Sequence, residues 1–179
     1  ELAELCEKEG IVWIGPAARC IAAMGSKIES KLIAQKAGVH GVPGYHGADQ
    51  SPGRLLKEAK RIGFPILIKA SAGGGGKGMR RVDDPADFVS SLEIVVREAK
   101  AAFGDDRVLL EKHILRPRHL EVQLAGDKHG NIVHLFEREC SIQRNFQKLV
   151  EEAPAANLDP RTRDAILDAA VRLGKAVAY

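Results

Sequence analysis

The chemistry in this chain is concentrated in residues 66–79, Ile-Leu-Ile-Lys-Ala-Ser-Ala-Gly-Gly-Gly-Gly-Lys-Gly-Met. Two lysines, Lys69 and Lys77, flank four consecutive glycines, Gly73 to Gly76. Glycine carries no side chain, so successive backbone N–H groups can approach an anion closely and the loop can take φ > 0. Lysines at both ends add positive charge, and the combination suits phosphate oxygens. Two familiar phosphate loops do not fit. A Walker A loop needs Gly-x4-Gly-Lys-Ser/Thr, but Gly78 follows Lys77 and Ser71 stands where the first glycine belongs. A dinucleotide fingerprint needs a helix directly after the glycines. Here Met79-Arg80-Arg81-Val82 reads as a second short strand. The loop therefore joins two strands of a hairpin and is shaped to act as a lid.

Other polar residues are less decisive alone. Lys27 falls in the first turn of a helix that Ser26 caps, where a cation opposes the helix dipole. A bound anion would justify it; a solvated lysine is the plain alternative. His119 shares a strand face with Glu121 and Gln123 by strict alternation. The three cysteines, Cys6, Cys20 and Cys140, match no metal spacing and suggest a reducing compartment. No Ser–His–Asp arrangement stands out. Residues alone reach an α+β domain with a phosphate-binding loop, suited to a nucleotide.

The elements that must hold these groups follow from pattern. Residues 1–9 read as helix and Ile11–Ile14 as a short buried strand, the remnant of a preceding domain. Helices are expected over 17–24 and 27–37, the second closed by Gly38. Ser51 is placed as the cap of a helix over 52–62, and Asp84 as the cap of one over 85–103. With short strands at 66–68, 79–82 and 108–111 after a Gly/Pro-rich connector at 41–47, the block 42–113 reads strand–helix–strand–strand–helix–strand. Residues 118–137 form a long hairpin turning at Asp127–Asn131. Glu137–Lys148 is polar on both faces, as for a strand in polar contact or a solvated edge. A last amphipathic helix runs from Asp159-Pro160 with Ile166, Leu167, Ala170, Leu173 and Val177 inward. Both ends lie inside helical patterns, so the sequence reads as a piece of a longer protein.

Composition narrows the classes. The 179 residues, 45% hydrophobic, can bury a core; the net charge of +3 and 4% aromatics argue against a nucleic-acid binder. No apolar run reaches membrane-spanning length.

Taken together, several segments resemble one family. Lys69-Ala-Ser-Ala-Gly-Gly-Gly-Gly-Lys-Gly-Met79 is similar to the glycine loop of biotin carboxylases, which are ATP-grasp enzymes. Trp13–Pro16, Met24–Lys27, Val42–Tyr45, Glu111-Lys112, Arg116–Gln123, Gly126–Asn131, Glu137–Arg144 and Gln147–Pro154 agree in the same order. Gly44–Gln50 resembles the methylcrotonyl-CoA carboxylase type. The resemblance implies an α+β ATP-grasp fragment. Its parts would be an N-terminal-domain remnant (1–14), a helical linker (15–41), a lid subdomain (42–113) and the start of the larger nucleotide-binding subdomain (114–179).

The resemblance also implies roles. Lys27 and Lys69 would contact ATP phosphates, with Gly75 and Gly76 closing over them. Glu111, Lys112, His113 and Ile114 would line the adenine site, with Glu111 as acceptor for the exocyclic amine. His119 would lie by the ribose, and Gln143 and Phe146 would border the nucleotide. Lys148 would help hold bicarbonate. The family commonly reads Gln-Arg-Arg-His-Gln-Lys where this chain has Gln143-Arg144-Asn145-Phe146-Gln147-Lys148, so Phe146 packs without an imidazole's hydrogen bonds. Implied cofactors and substrates are ATP, Mg²⁺ or Mn²⁺ held by ligands outside these residues, bicarbonate, and biotin on a carrier domain. A carboxyltransferase subunit and an oligomeric parent are implied partners. The implied compartment is the cytoplasm in bacteria and the mitochondrial matrix in eukaryotes. The piece alone would bind ATP at most. Two alternatives stand: a carbamoyl phosphate synthetase-like ligase of the same fold, and a non-catalytic nucleotide-binding module.

Overall fold

A computed structural model describes residues 1–72, 78–145 and 147–179. The elements in order are α1 (Leu2–Lys8), α2 (Ala18–Gly25), α3 (Lys27–Lys36), β1 (Gly44–Tyr45), α4 (Pro52–Ile62), β2 (Ile66–Ala70), β3 (Met79–Val82), α5 (Phe88–Phe103), β4 (Val108–Lys112), β5 (Leu120–Gly126), β6 (Ile132–Arg144), β7 (Gln147–Glu152) and α6 (Pro160–Ala176). The chain divides into two compact units. One comprises Gly41–Pro117 with Gln143–Leu149; the other comprises Glu1–His40, Arg118–Ile142 and Val150–Tyr179.

In the first unit, the glycine-loop unit, an antiparallel sheet runs in the order β1-β4-β2-β3. Alternation along β2 sends Ile66, Ile68 and Ala70 to a buried face and leaves Leu67 and Lys69 on the other. The buried face meets α4 and α5. Helix α4 contributes Leu55 and Ala59, one turn apart; α5 contributes Phe88, Leu92 and Val95, spaced for one stripe. With Val82, Val108 and Leu110 they make a continuous core. The strand–helix–strand–strand–helix–strand order read from pattern is the order found.

The helix ends show why. Asp84 accepts from Ala86 N–H at 2.8 Å and starts a single 3-10 turn, Pro85–Asp87, that leads into α5. Gly104, in the left-handed region at φ 71°, stops it. Ser51 departs from expectation. It occupies the N-cap of α4 but its hydroxyl makes no capping bond. Its own N–H donates to Asp49 Oδ1 at 3.0 Å, and Pro52 begins the helix with no N–H to satisfy.

In the second unit, the hairpin unit, β5 and β6 pair antiparallel around the turn foreseen at 127–131. Asp127 Oδ1 accepts from the N–H groups of His129 and Asn131, both at 2.9 Å. Helix α6, capped by Asp159 accepting from Thr162 N–H at 2.9 Å, packs on this hairpin. Contact is close because residue 174 is glycine: a Cβ there would lie 2.9 Å from Leu124 Cδ1. Helix α3, capped by Ser26 Oγ accepting from Glu29 N–H at 3.3 Å, belongs to the same unit.

Two expectations are corrected. Ile11–Ile14 is not a strand, and its apolar side chains stand exposed, Val12 at 75% and Ile14 at 94%. A strand needs a neighbouring ladder for its backbone groups, and apolar side chains alone do not supply one. The polar stretch 137–148 is not a single edge strand. It is the long arm of β6, a reversal at Asn145 with φ 50°, and the start of β7. Asparagine tolerates that left-handed conformation better than most side chains.

Candidate nucleotide site

In the glycine-loop unit, β2 delivers Lys69 and β4 delivers Glu111 to the same sheet face. Lys69 stands opposite Leu109 and Glu111 opposite Leu67, so the two are diagonal neighbours. The Lys69 ammonium pairs with Glu111 Oε2. Neither is well solvated; their side chains are 25% and 11% exposed. The pair therefore holds a mostly buried carboxylate and aims an ammonium along the face at the foot of the glycine loop.

The loop's base is fastened by backbone. Ala70 N–H donates to Gly78 O at 2.7 Å, and Ser71 N–H donates to Arg107 O at 2.9 Å. Gly78 sits at φ +65°, and a Cβ on it would lie 2.9 Å from Ala70 Cβ. Only glycine fits both constraints. Gly75, Gly76 and Lys77 lie outside the described residues, as does Phe146.

Beyond Glu111, β4 ends in a segment tied to its surroundings. Lys112 Nζ donates to the carbonyls of Gly63 and Phe64 at 2.8 and 2.9 Å, and its N–H donates to Pro43 O at 2.8 Å. His113 N–H donates to Pro65 O at 3.0 Å. Ile114 follows, exposed. The Lys112 ammonium thus braces the turn between α4 and β2. Gln143 and Lys148 group with this unit, at the ends of β6 and β7.

In the hairpin unit, Lys27 opens α3. His119 stands opposite Cys140, whose N–H donates to His119 O at 2.9 Å; His119 N–H donates to Ser141 Oγ at 2.9 Å. Glu121, next on that face, receives Arg138 at 2.6 Å.

Sequence reasoning passed over the arginines that hold this unit together. Arg118 forks onto Glu139 at 3.0 and 2.5 Å and also reaches Ala156 O at 2.6 Å. Arg138 joins Glu121 to Gln123 and Glu151. Arg163 donates to buried Glu137 at 2.9 Å and to Ala155 O at 3.2 Å. Burial pushes the Glu137 carboxyl up, but the Arg163 bond and backbone N–H groups outweigh it and hold it below its usual range. The bond from Arg118 and a second from Ser141 do the same for Glu139. Alternating Arg and Glu in 137–151 was the available signal, but pairs such as Arg118 with Glu139, 21 residues apart, and Arg163 with Glu137, 26 apart, are set by the fold.

Comparison with known proteins then defines the class. Residues 26–179 match the family model described as the carbamoyl-phosphate synthase L chain, ATP binding domain, and the chain belongs to that family. All 179 residues align with the mitochondrial methylcrotonoyl-CoA carboxylase subunit alpha of Dictyostelium discoideum at 56% identity, covering 26% of that protein. The pig mitochondrial propionyl-CoA carboxylase alpha chain aligns over the same length at 51%, covering 24% of it. Among solved structures, a Campylobacter jejuni biotin carboxylase superposes over 99% of this chain and 40% of its own, with TM-score 0.92 and 44% identity. The biotin carboxylase domain of Hydrogenobacter thermophilus 2-oxoglutarate carboxylase, solved with MgADP, ADP and bicarbonate, gives TM-score 0.89 and 46% identity over 99% of this chain and 39% of its own. The fold is thus the α+β ATP-grasp arrangement that the motifs imply. The chain spans about a quarter of the length of the curated relatives it matches. The eukaryotic relatives are named mitochondrial. Among the described residues, no helix is long and apolar enough to cross a membrane.

Proposed function

We propose that this chain is the lid and the first part of the larger nucleotide-binding subdomain of a biotin carboxylase, the ATP-dependent component of an acyl-CoA carboxylase. ATP phosphorylates bicarbonate to carboxyphosphate, and the carboxyl group passes to N1′ of biotin on a carrier domain. The observation that carries this reading is the placement of Lys69. It lies one residue before the end of β2, at the foot of a glycine loop, and is held by Glu111 with its ammonium along the open sheet face. The full-length match to carboxylase alpha subunits supports the same reading.

Each residue then has a physical task. Lys69 and Lys27 neutralise phosphate oxygens, and the glycines at 75 and 76 close over them. Phosphoryl transfer depends chiefly on such positioning and charge. The segment Glu111–Ile114 lines the adenine. Its backbone is fixed by Lys112 and His113, which suits recognition of a flat base edge. His119 borders the ribose, Gln143 and Phe146 flank the nucleotide, and Lys148 attracts bicarbonate. Closing the loop keeps water from carboxyphosphate.

Mg²⁺ takes oxygen ligands in octahedral geometry. The one carboxylate among the residues assigned to the nucleotide is Glu111, and it is already paired with Lys69. That set does not fit a metal cage. A carboxyltransferase subunit and an oligomeric assembly complete the proposal. The compartment is the mitochondrial matrix for a eukaryotic source and the cytoplasm for a bacterial one. Identity to methylcrotonoyl-CoA carboxylase subunits, slightly above that to propionyl-CoA carboxylase, favours methylcrotonyl-CoA as the acyl acceptor.

The test is ATP cleavage by the protein that carries this chain, at its natural length. Cleavage should require bicarbonate and accelerate with free biotin. Cleavage indifferent to both would overturn the reading, and cleavage stimulated by ammonia would favour a carbamoyl phosphate-forming ligase.

A further inference from the structure

We propose that His119, Glu121 and Cys140 form a binding site for a thiophilic divalent cation, with Zn²⁺ as its representative. The β5–β6 register sets Leu120 opposite Glu139 and Glu121 opposite Arg138. His119 therefore stands opposite Cys140, and Glu121 follows two residues on, along the same face. One donor atom from each of the three lies within 4.8 Å of the others. This is the one such grouping of three among the described residues.

The donor set decides the ion. A tetrahedral Zn²⁺ with bonds of about 2.0–2.3 Å holds its ligands about 3.5 Å apart. The three donor atoms lie within 4.8 Å of one another, so an ion would draw them together, with His119 the exposed member of the set. Imidazole nitrogen, thiolate sulfur and carboxylate oxygen are all zinc ligands, and the sulfur disfavours Mg²⁺ and Ca²⁺. On binding, the Cys140 thiol gives its proton to solvent and the thiolate offsets one of the ion's two charges, while Glu121 shares its carboxylate between the ion and Arg138. Three protein ligands leave a fourth position for water.

Neighbours orient the ligands. Arg138 donates twice to Glu121, and both bonds fall on Oε1, at 2.6 and 3.2 Å. The backbone of His119 is fixed by Ser141 Oγ and by Cys140 N–H. Cys140 is fully buried and His119 exposed, so an ion enters from the histidine side with the sulfur behind it. The site stands on this geometry alone, independent of any nucleotide contact by His119.

The experiment uses the natural-length protein, stripped with a chelator and titrated with Co²⁺ and then Zn²⁺ alone. One equivalent of Co²⁺ should give a thiolate-to-metal charge-transfer band that Zn²⁺ abolishes. Cys140→Ser should remove the band. His119→Gln, at an exposed position compatible with folding, should weaken Zn²⁺ affinity at least about tenfold. His129→Gln, in the β5–β6 turn, should leave both unchanged. Absence of the band, or a band and affinity that survive His119→Gln, overturns the proposal.

Discussion

Lys69 and Glu111 meet across β2 and β4 as diagonal neighbours on one sheet face, and their ion pair stands at the foot of the glycine loop. The carboxylate is nearly buried, so its partner cannot be removed without cost. Lys69→Met should destabilise the protein by about 1–3 kcal/mol, because a nearly buried acid loses its ammonium partner. Adding Glu111→Gln should recover part of that loss. Urea unfolding of the two single variants and the double variant measures it.

Lys112 offers a contrast in the same strand. Its ammonium is spent on the Gly63 and Phe64 carbonyls, so it acts on the frame. Lys112→Met should cost about 1–2 kcal/mol of stability. Mg-ATP affinity should change far less than in Lys69→Ala. Calorimetric titration beside chemical unfolding separates the two.

Gly78→Ala should destabilise by about 1–2 kcal/mol, since it places a side chain at φ +65° and sets a Cβ against Ala70. Gly53→Ala, in open space on α4, should be neutral or slightly stabilising. A shift in urea midpoint at constant slope reads each effect.

Acid should loosen the hairpin unit through Glu137 and Glu139. Both carboxyls are held below their usual range in the folded protein, Glu137 against burial by Arg163 and Glu139 by Arg118. The unfolded chain takes up these protons first, near pH 4.3, so stability is complete above about pH 5 and falls as pH drops through the folded values. Arg163→Met should raise the midpoint of acid unfolding and cost about 3 kcal/mol at pH 7, because Glu137 is left buried and unpaired. Circular dichroism across pH 2–7 follows it.

The glycine-loop unit was legible because its signals are local. Leu55 and Ala59, Phe88 and Leu92, the alternation of Ile66 and Ile68, and Asp84 before Pro85 each lie within one turn or one strand. Motif order carried the fold and the family further than spacing did. What sequence could not show depends on pairing across distance. The diagonal of Lys69 and Glu111 needs the β2–β4 register, and Arg163 on Glu137 needs α6 laid against the hairpin. The apolar run Ile11–Ile14 looked like a strand because composition says nothing about whether a ladder partner exists. The β6–β7 reversal escaped because Asn145, at φ 50°, stands where a glycine usually marks such a turn.

The most direct test of the account is transfer of carboxyl. The natural-length protein is given labelled bicarbonate, Mg-ATP and a biotin carrier domain, beside its Lys69→Ala variant. ATP-dependent labelling of the biotin group is expected, lowered at least about a hundredfold by Lys69→Ala. Labelling that ignores the Lys69 substitution, or no labelling of biotin while ATP is consumed, would contradict it.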